Sequence, residues 1–251
     1  MAYKTLQITQ SDSVIRVAFN RPQVMNALNI AMIEETTHAF QTFSHDTSVR
    51  VIILEGNGKT FSAGADLGYM KRLGKLNINQ NIIEGKKLAE MYVSIESCSK
   101  PVIAKAHGYA IGGGFGFIVL ADIAIAEENT QFSLSEVKLG MNPAVIGPFV
   151  TKKIGASHYK ALSITGELID TKRALNIGLI HEVAPASELE KTVMKKVSLI
   201  MKCGPIAIAE FKATFENTDL NKAVNQIAKL RASEEGQEGL SAFLEKRNPN
   251  W

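Results

Sequence analysis

Two glycine-rich turns hold the residues whose types and spacing suggest chemistry. Gly112-Gly113-Gly114-Phe115-Gly116 follows a β-branched run and opens an apolar helix, and Phe61-Ser62-Ala63-Gly64-Ala65-Asp66-Leu67 has the same character. The start of a helix presents backbone N–H groups with no intrahelical acceptor, and these favour negative charge. Glycine at such a turn lets a ligand approach the main chain closely. Two turns of this kind side by side would hold one carbonyl oxygen as it becomes an oxyanion, each donor contributing about 3–4 kcal/mol to the transition state. Nucleotide chemistry fits less well. Gly58-Lys59-Thr60 resembles the end of a phosphate-wrapping loop, but that loop needs a glycine where the chain has Ile53. The dinucleotide fingerprint fails as well, because it requires glycine at the position of Phe117 or of Val119. His107 adjoins the triple-glycine turn without an acid or thiol partner at readable spacing, so a structural role is expected. His38, His45, His158 and His181 form no ligand-like cluster, and no metal is expected. Asp122 is expected to cap or pair, not to catalyse.

The elements that position these turns can be read from periodicity. Residues 14–19 form a strand pattern stopped by Asn20-Arg21-Pro22, residues 49–54 a second, 102–104 a third and 123–126 a fourth. Ile30, Ile33, Thr37 and Phe40 recur at helical spacing, as do Leu88, Met91, Tyr92 and Ile95. Strands alternating with helices in units of about thirty residues imply α/β with crossover helices. A short helix ends at Gly178, and residues 179–183 read as a last strand. Ser187-Glu188-Leu189-Glu190 has capping-box spacing ahead of a stripe at Leu189, Val193, Val197 and Ile200. Residues 205–246 read as helices with a break at Asn217-Thr218-Asp219. No linker separates this tail from the body, which suggests a core over residues 1–195 and a helical region over 196–251 that packs on a neighbouring subunit.

Composition excludes several classes. The 251 residues are 45% hydrophobic and 21% charged, an ordinary globular balance. With 28 Lys+Arg against 25 Asp+Glu the net charge is only +3, too even for a dedicated nucleic-acid binder. The longest near-apolar stretch, residues 115–126, includes Asp122 and is too short for a membrane span. Met1-Ala2-Tyr3-Lys4-Thr5-Leu6-Gln7 contains no apolar signal core, so a cytoplasmic location is expected. Cys98 and Cys203 are expected to be reduced core thiols. Trp251 is a candidate intersubunit anchor or, equally, a disordered tip.

With the two glycine turns, further segments in order along the chain carry a family resemblance: Asn20-Arg21-Pro22 with Asn26-Ala27-Leu28, Lys100-Pro101-Val102-Ile103-Ala104, His107-Gly108-Tyr109-Ala110-Ile111, Ala121-Asp122-Ile123-Ala124-Ile125-Ala126, Phe132-Ser133-Leu134-Ser135-Glu136-Val137-Lys138-Leu139-Gly140, and Glu238-Gly239 with Ala242-Phe243-Leu244-Glu245-Lys246-Arg247. Together they resemble the crotonase superfamily, the enoyl-CoA hydratases and isomerases. The resemblance implies a spiral of ββα units with a C-terminal helical trimerisation region, assembled as a trimer or a dimer of trimers. It implies an acyl-CoA thioester as substrate, coenzyme A being part of that substrate and not a separate cofactor. By position, the N–H groups of Ala65 and Gly113 would form the oxyanion hole, with Gly112 beside them. Ala63, Asp66 and Leu67 would line the adenine and pantetheine path with Ala27 nearby. Phe243 and Lys246 of a neighbouring subunit would meet the CoA phosphates. Met141 and Asn142 would border the acyl pocket, Asn142 donating to a substrate oxygen or a water.

Hydratases of this family generally use two glutamates. One corresponds to Glu136; the other falls at Gly116. Three readings follow from the resemblance. The first is a hydratase working with Glu136 and a second group still to be located. Leu134-Ser135-Glu136-Val137-Lys138-Leu139-Gly140 and Gly64-Ala65-Asp66-Leu67-Gly68-Tyr69-Met70-Lys71 resemble the branch acting on methylglutaconyl-CoA and carboxygeranoyl-CoA, in which Gly116 would leave room for a substrate carboxylate. The second is a Δ3,Δ2-enoyl-CoA isomerase, for which one glutamate suffices. The third is a non-catalytic homologue that binds acyl-CoA or RNA.

Overall fold

A computed structural model describes residues 3–216 and 218–251 of the chain. The chain opens with β1 (Leu6–Ser11), β2 (Val14–Phe19), α1 (Ile30–His45), β3 (Val51–Gly56), α2 (Leu67–Leu73), α3 (Ile78–Glu96) and β4 (Val102–Ala106). It continues through β5 (Tyr109–Ile111), α4 (Gly113–Leu120), β6 (Ile123–Glu127), β7 (Gln131–Ser133), α5 (Gly147–Thr165), α6 (Thr171–Asn176) and β8 (Glu182–Ala184). Four helices follow: α7 (Leu189–Ile200), α8 (Pro205–Thr214), α9 (Leu220–Ala232) and α10 (Glu234–Glu245). The α/β class expected from the alternation is the class observed. The main sheet has the order β1-β2-β3-β4-β6-β8, antiparallel at the first pair and parallel beyond it, and a second sheet pairs β5 with β7 in parallel.

The strand period of two sorts the core into two layers. Ile52 and Leu54 of β3 enter the larger core, with Phe40 of α1, Tyr92 of α3 and Phe117 of α4. Val51 and Ile53 face the other way, with Ile103 and Ile125, against Val193 and Val197 of α7. A strand buried on both faces reads as a continuous apolar run, which is why Val51-Ile52-Ile53-Leu54 shows no alternation.

Several expectations shift. Residues 179–183 are a strand only from Glu182, because the N–H groups of Leu179 and Ile180 turn back to the Ala174 carbonyl and close α6. The capping box at Ser187 does not form: Glu188 is the N-cap without a side-chain cap bond, and Glu190 is drawn instead to Arg16 and Lys105. Cys98 is buried, but Cys203 is exposed just past the end of α7. Trp251 lies against Gly239 of its own chain, and Arg50 donates to its carbonyl. Of the expected break in the tail, Asn217 lies outside the described residues, and the Asp219 side chain starts α9 by accepting from Asn221 N–H. Among the described residues no helix is long and apolar enough to cross a membrane.

Candidate functional site

The first turn is fixed by three backbone bonds. Ser62 N–H donates to Tyr109 O at 2.9 Å, Leu28 N–H to Gly64 O at 2.7 Å and Asp66 N–H to Leu28 O at 2.8 Å. Ala65 is thereby clamped between two paired residues while its own N–H has no acceptor among the described residues. Gly64 has φ +91°, and a Cβ there would fall 2.8 Å from Ile111 O. Asp66 then caps α2 by accepting from Tyr69 N–H and pairs with Arg21 at 2.9 Å.

The second turn is set by the small β5–β7 sheet. Gly112 at φ +50° donates to Ser133 O at 2.8 Å, and Gly113 is the first residue of α4, where its N–H has no intrahelical partner. Ser133 ends β7, and three residues later Glu136 begins a 3-10 turn. The ladder that aligns Ser133 with Ile111 therefore brings Glu136 back to the glycine turn: a Cβ on Gly112 would lie 3.2 Å from Glu136 Oε1. The other carboxylate oxygen, Oε2, is buried and has no hydrogen-bond partner. Burial pushes the Glu136 carboxyl above its ordinary value.

Ala65, Gly113, Glu136, Met141 and Asn142 all line one cavity of about 490 Å³. Gly112 is not part of that lining. Gly116 is buried and does not line the cavity; a Cβ there would fall 3.0 Å from both Cε1 and the hydroxyl of Tyr92. The room expected beside Gly116 for a substrate carboxylate is filled by that ring. Ala27, Ala63, Asp66 and Leu67 lie outside the cavity lining, around Ala65, where Arg21 donates to both Ala27 O and the Asp66 carboxylate. Leu67 is 83% exposed. Phe243 is 80% exposed on α10 and Lys246 follows that helix; neither lines the cavity within this chain.

The far wall of the cavity was not anticipated. Asn81, Glu84, Leu88 and Tyr92 line it from one face of α3. Their helical spacing is visible in the sequence, but a stripe facing a cavity has the same period as a stripe facing a core. Burial works against the Glu84 carboxylate, yet hydrogen bonds from Arg72 at 2.7 Å and Tyr69 at 2.9 Å outweigh it and lower its pKa. His107 is tied by Nε2 to Gly58 O at 3.0 Å, and Asp122 accepts from Val102 N–H and pairs with Lys212, so both serve structure. Among the described residues no group of three or more His, Cys, Asp or Glu is placed to hold a metal ion. Two unpaired N–H donors and one buried carboxylate in a shared cavity can stabilise an enolate and move a proton at its neighbouring carbon.

A family model described as enoyl-CoA hydratase/isomerase matches residues 9–251. The chain is 32% identical over 260 residues to a crotonyl-CoA hydratase of Syntrophomonas wolfei, covering 100% of this chain and 99% of that protein. It is 28% identical over 254 residues to a 2,3-dehydroadipyl-CoA hydratase of Escherichia coli, covering 98% of each. A crystal structure of an enoyl-CoA hydratase from Shewanella pealeana superposes with a TM-score of 0.95 at 35% identity, covering 99% of this chain and 96% of that one.

Proposed function

Since the chain belongs to the enoyl-CoA hydratase/isomerase family, we propose that its cavity adds water across the 2,3 double bond of an acyl-CoA thioester, as a hydro-lyase. The observation that carries this reading is the buried, unpartnered Glu136 Oε2 in the same cavity as the unpaired N–H groups of Ala65 and Gly113. The thioester oxygen would accept both N–H groups, which draws electron density from the conjugated double bond toward the oxygen. Water attacks the β-carbon as Glu136 takes its proton, and the enolate collapses as the same proton is delivered to the α-carbon. One carboxylate completes the cycle and ends it ionised.

Nothing in the cavity lining is cationic among the described residues, and Glu84 stands on its wall. An uncharged acyl chain suits that lining better than the carboxylated chain of the methylglutaconyl-like branch. In this reading Ala27, Ala63, Asp66 and Leu67 border the pantetheine path, while Phe243 and Lys246 of a neighbouring subunit reach the CoA phosphates. Assembly as a trimer or a dimer of trimers is supported by apolar side chains left exposed along the tail, among them Ile206, Phe211 and Val224.

Isomerisation of a 3-enoyl thioester is the second reading, favoured by Glu136 being the carboxylate that approaches Gly112 among the described residues. Product analysis separates the two. The wild-type protein should turn 2-enoyl-CoA into 3-hydroxyacyl-CoA, with crotonyl-CoA used at least as well as glutaconyl-CoA. Glu136→Gln should lower kcat by about 10³-fold while CoA binding persists. Undiminished turnover by that variant would reject both catalytic readings and favour a non-catalytic acyl-CoA or RNA binder.

A further inference from the structure

The two-glutamate arrangement leaves a place at position 116 that this chain fills from another helix. Tyr92 of α3 is 2% exposed, and its ring is held edge-on to Phe117 with centroids 6.3 Å apart. Its hydroxyl makes no hydrogen bond to any described residue. That hydroxyl would stand 3.3 Å from a Cβ on Gly113 and 3.0 Å from one on Gly116, so it lies between the oxyanion turn and the position of the absent glutamate. Tyr92 and Glu136 line the same cavity. A hydroxyl that lines the cavity without a partner in the chain is free to hydrogen-bond a molecule held there.

We propose that the Tyr92 hydroxyl is the second group on the reacting water, which it holds jointly with Glu136. The proposal rests on the hydratase reading. The water donates one O–H to the Glu136 carboxylate and the other to the Tyr92 oxygen, leaving a lone pair directed at the β-carbon. As the C–O bond forms, the proton shared with Glu136 moves to that carboxylate and then to the α-carbon. Tyr92 keeps its own proton throughout: burial, and secondarily the nearby Glu136, raise the phenol above its ordinary range. It therefore orients the nucleophile and does not relay a proton.

The test compares wild type, Glu136→Gln and Tyr92→Phe in steady-state hydration of crotonyl-CoA, alongside deuterium exchange at the α-carbon of butyryl-CoA in heavy water. Tyr92→Phe keeps the ring packing and removes one oxygen. It should lower the kcat of hydration by about 100-fold, with KM changed less than threefold and an unchanged unfolding midpoint. Exchange, which needs the N–H groups and Glu136 but no oriented nucleophile, should stay within threefold of wild type. Hydration by Tyr92→Phe at the wild-type rate would overturn the proposal. Loss of exchange in step with hydration would also overturn it, by assigning the hydroxyl to the oxyanion hole. A wild-type protein that hydrates nothing would instead reject the reading on which the proposal rests.

Discussion

In the proposed reaction Glu136 must be ionised where ionisation is costly. An ordinary glutamate titrates near pH 4.3; burial raises this one. The acid limb of kcat/KM should therefore lie above the usual glutamate range and vanish in Glu136→Gln along with activity, as a pH series on crotonyl-CoA would show. The same shift bears on stability. A carboxyl whose folded pKa exceeds its unfolded value favours the fold below the unfolded pKa, and that contribution is lost as pH rises through the folded pKa. Glu136→Gln should consequently unfold at a higher temperature than wild type near neutral pH, the difference shrinking on acidification. A lower midpoint for the variant at neutral pH would show that the carboxylate is stabilised by a contact absent from this cavity. The type and place of this residue were legible from its motif. The orphaned Oε2 was not, because burial of a single atom depends on what the rest of the chain packs around it.

At the scale of elements, the site is a product of the short β5–β7 ladder. Three residue pairs bring a glycine turn after β5 and a glutamate after β7 to the same spot. Gly112→Ala would place a methyl 3.2 Å from Glu136 Oε1 at φ +50°. A residue with a Cβ held in so sparsely populated a backbone region costs about 1–3 kcal/mol, so calorimetry should show that loss, and hydration should fall more steeply than stability because the carboxylate is displaced. Neither β5 nor β7 was expected from the sequence: at three residues each, they are too short for alternation to register. The turns they serve were plain, since glycine at a strand–helix junction carries its own steric reason. The face of α3 was visible as a helical stripe, but which of its residues met a core and which met a void depended on α4 packing behind it.

Across the whole molecule, polar contacts between distant residues tie the helical tail to the body. Lys212 of α8 bonds Asp122 and donates to Lys100 O at 3.0 Å, while Arg50 donates to Cys203 O at 2.6 Å. A hydrogen bond to a charged group contributes about 1.5–3 kcal/mol. Lys212→Ala should lose an amount in that range by denaturant unfolding and expose α8 to limited proteolysis, with turnover per intact chain unchanged. The C-terminal run of helices was legible because helical patterns follow the last strand without interruption. The ties between the parts were not: Lys212 and Asp122 are 90 residues apart, and neither has a local reason to find the other.

The close packing of Tyr92 against Gly116 also constrains how this chain can change by single substitutions. Glutamate at position 116 would set its Cβ 3.0 Å from the Tyr92 ring and hydroxyl, so the tyrosine would have to give by a few tenths of an ångström to admit it. A smaller residue at position 92 would open the space, but it would discard the hydroxyl before any carboxylate replaced it. Because the two positions touch, substitutions at them should be non-additive, and a double-mutant cycle would measure the coupling.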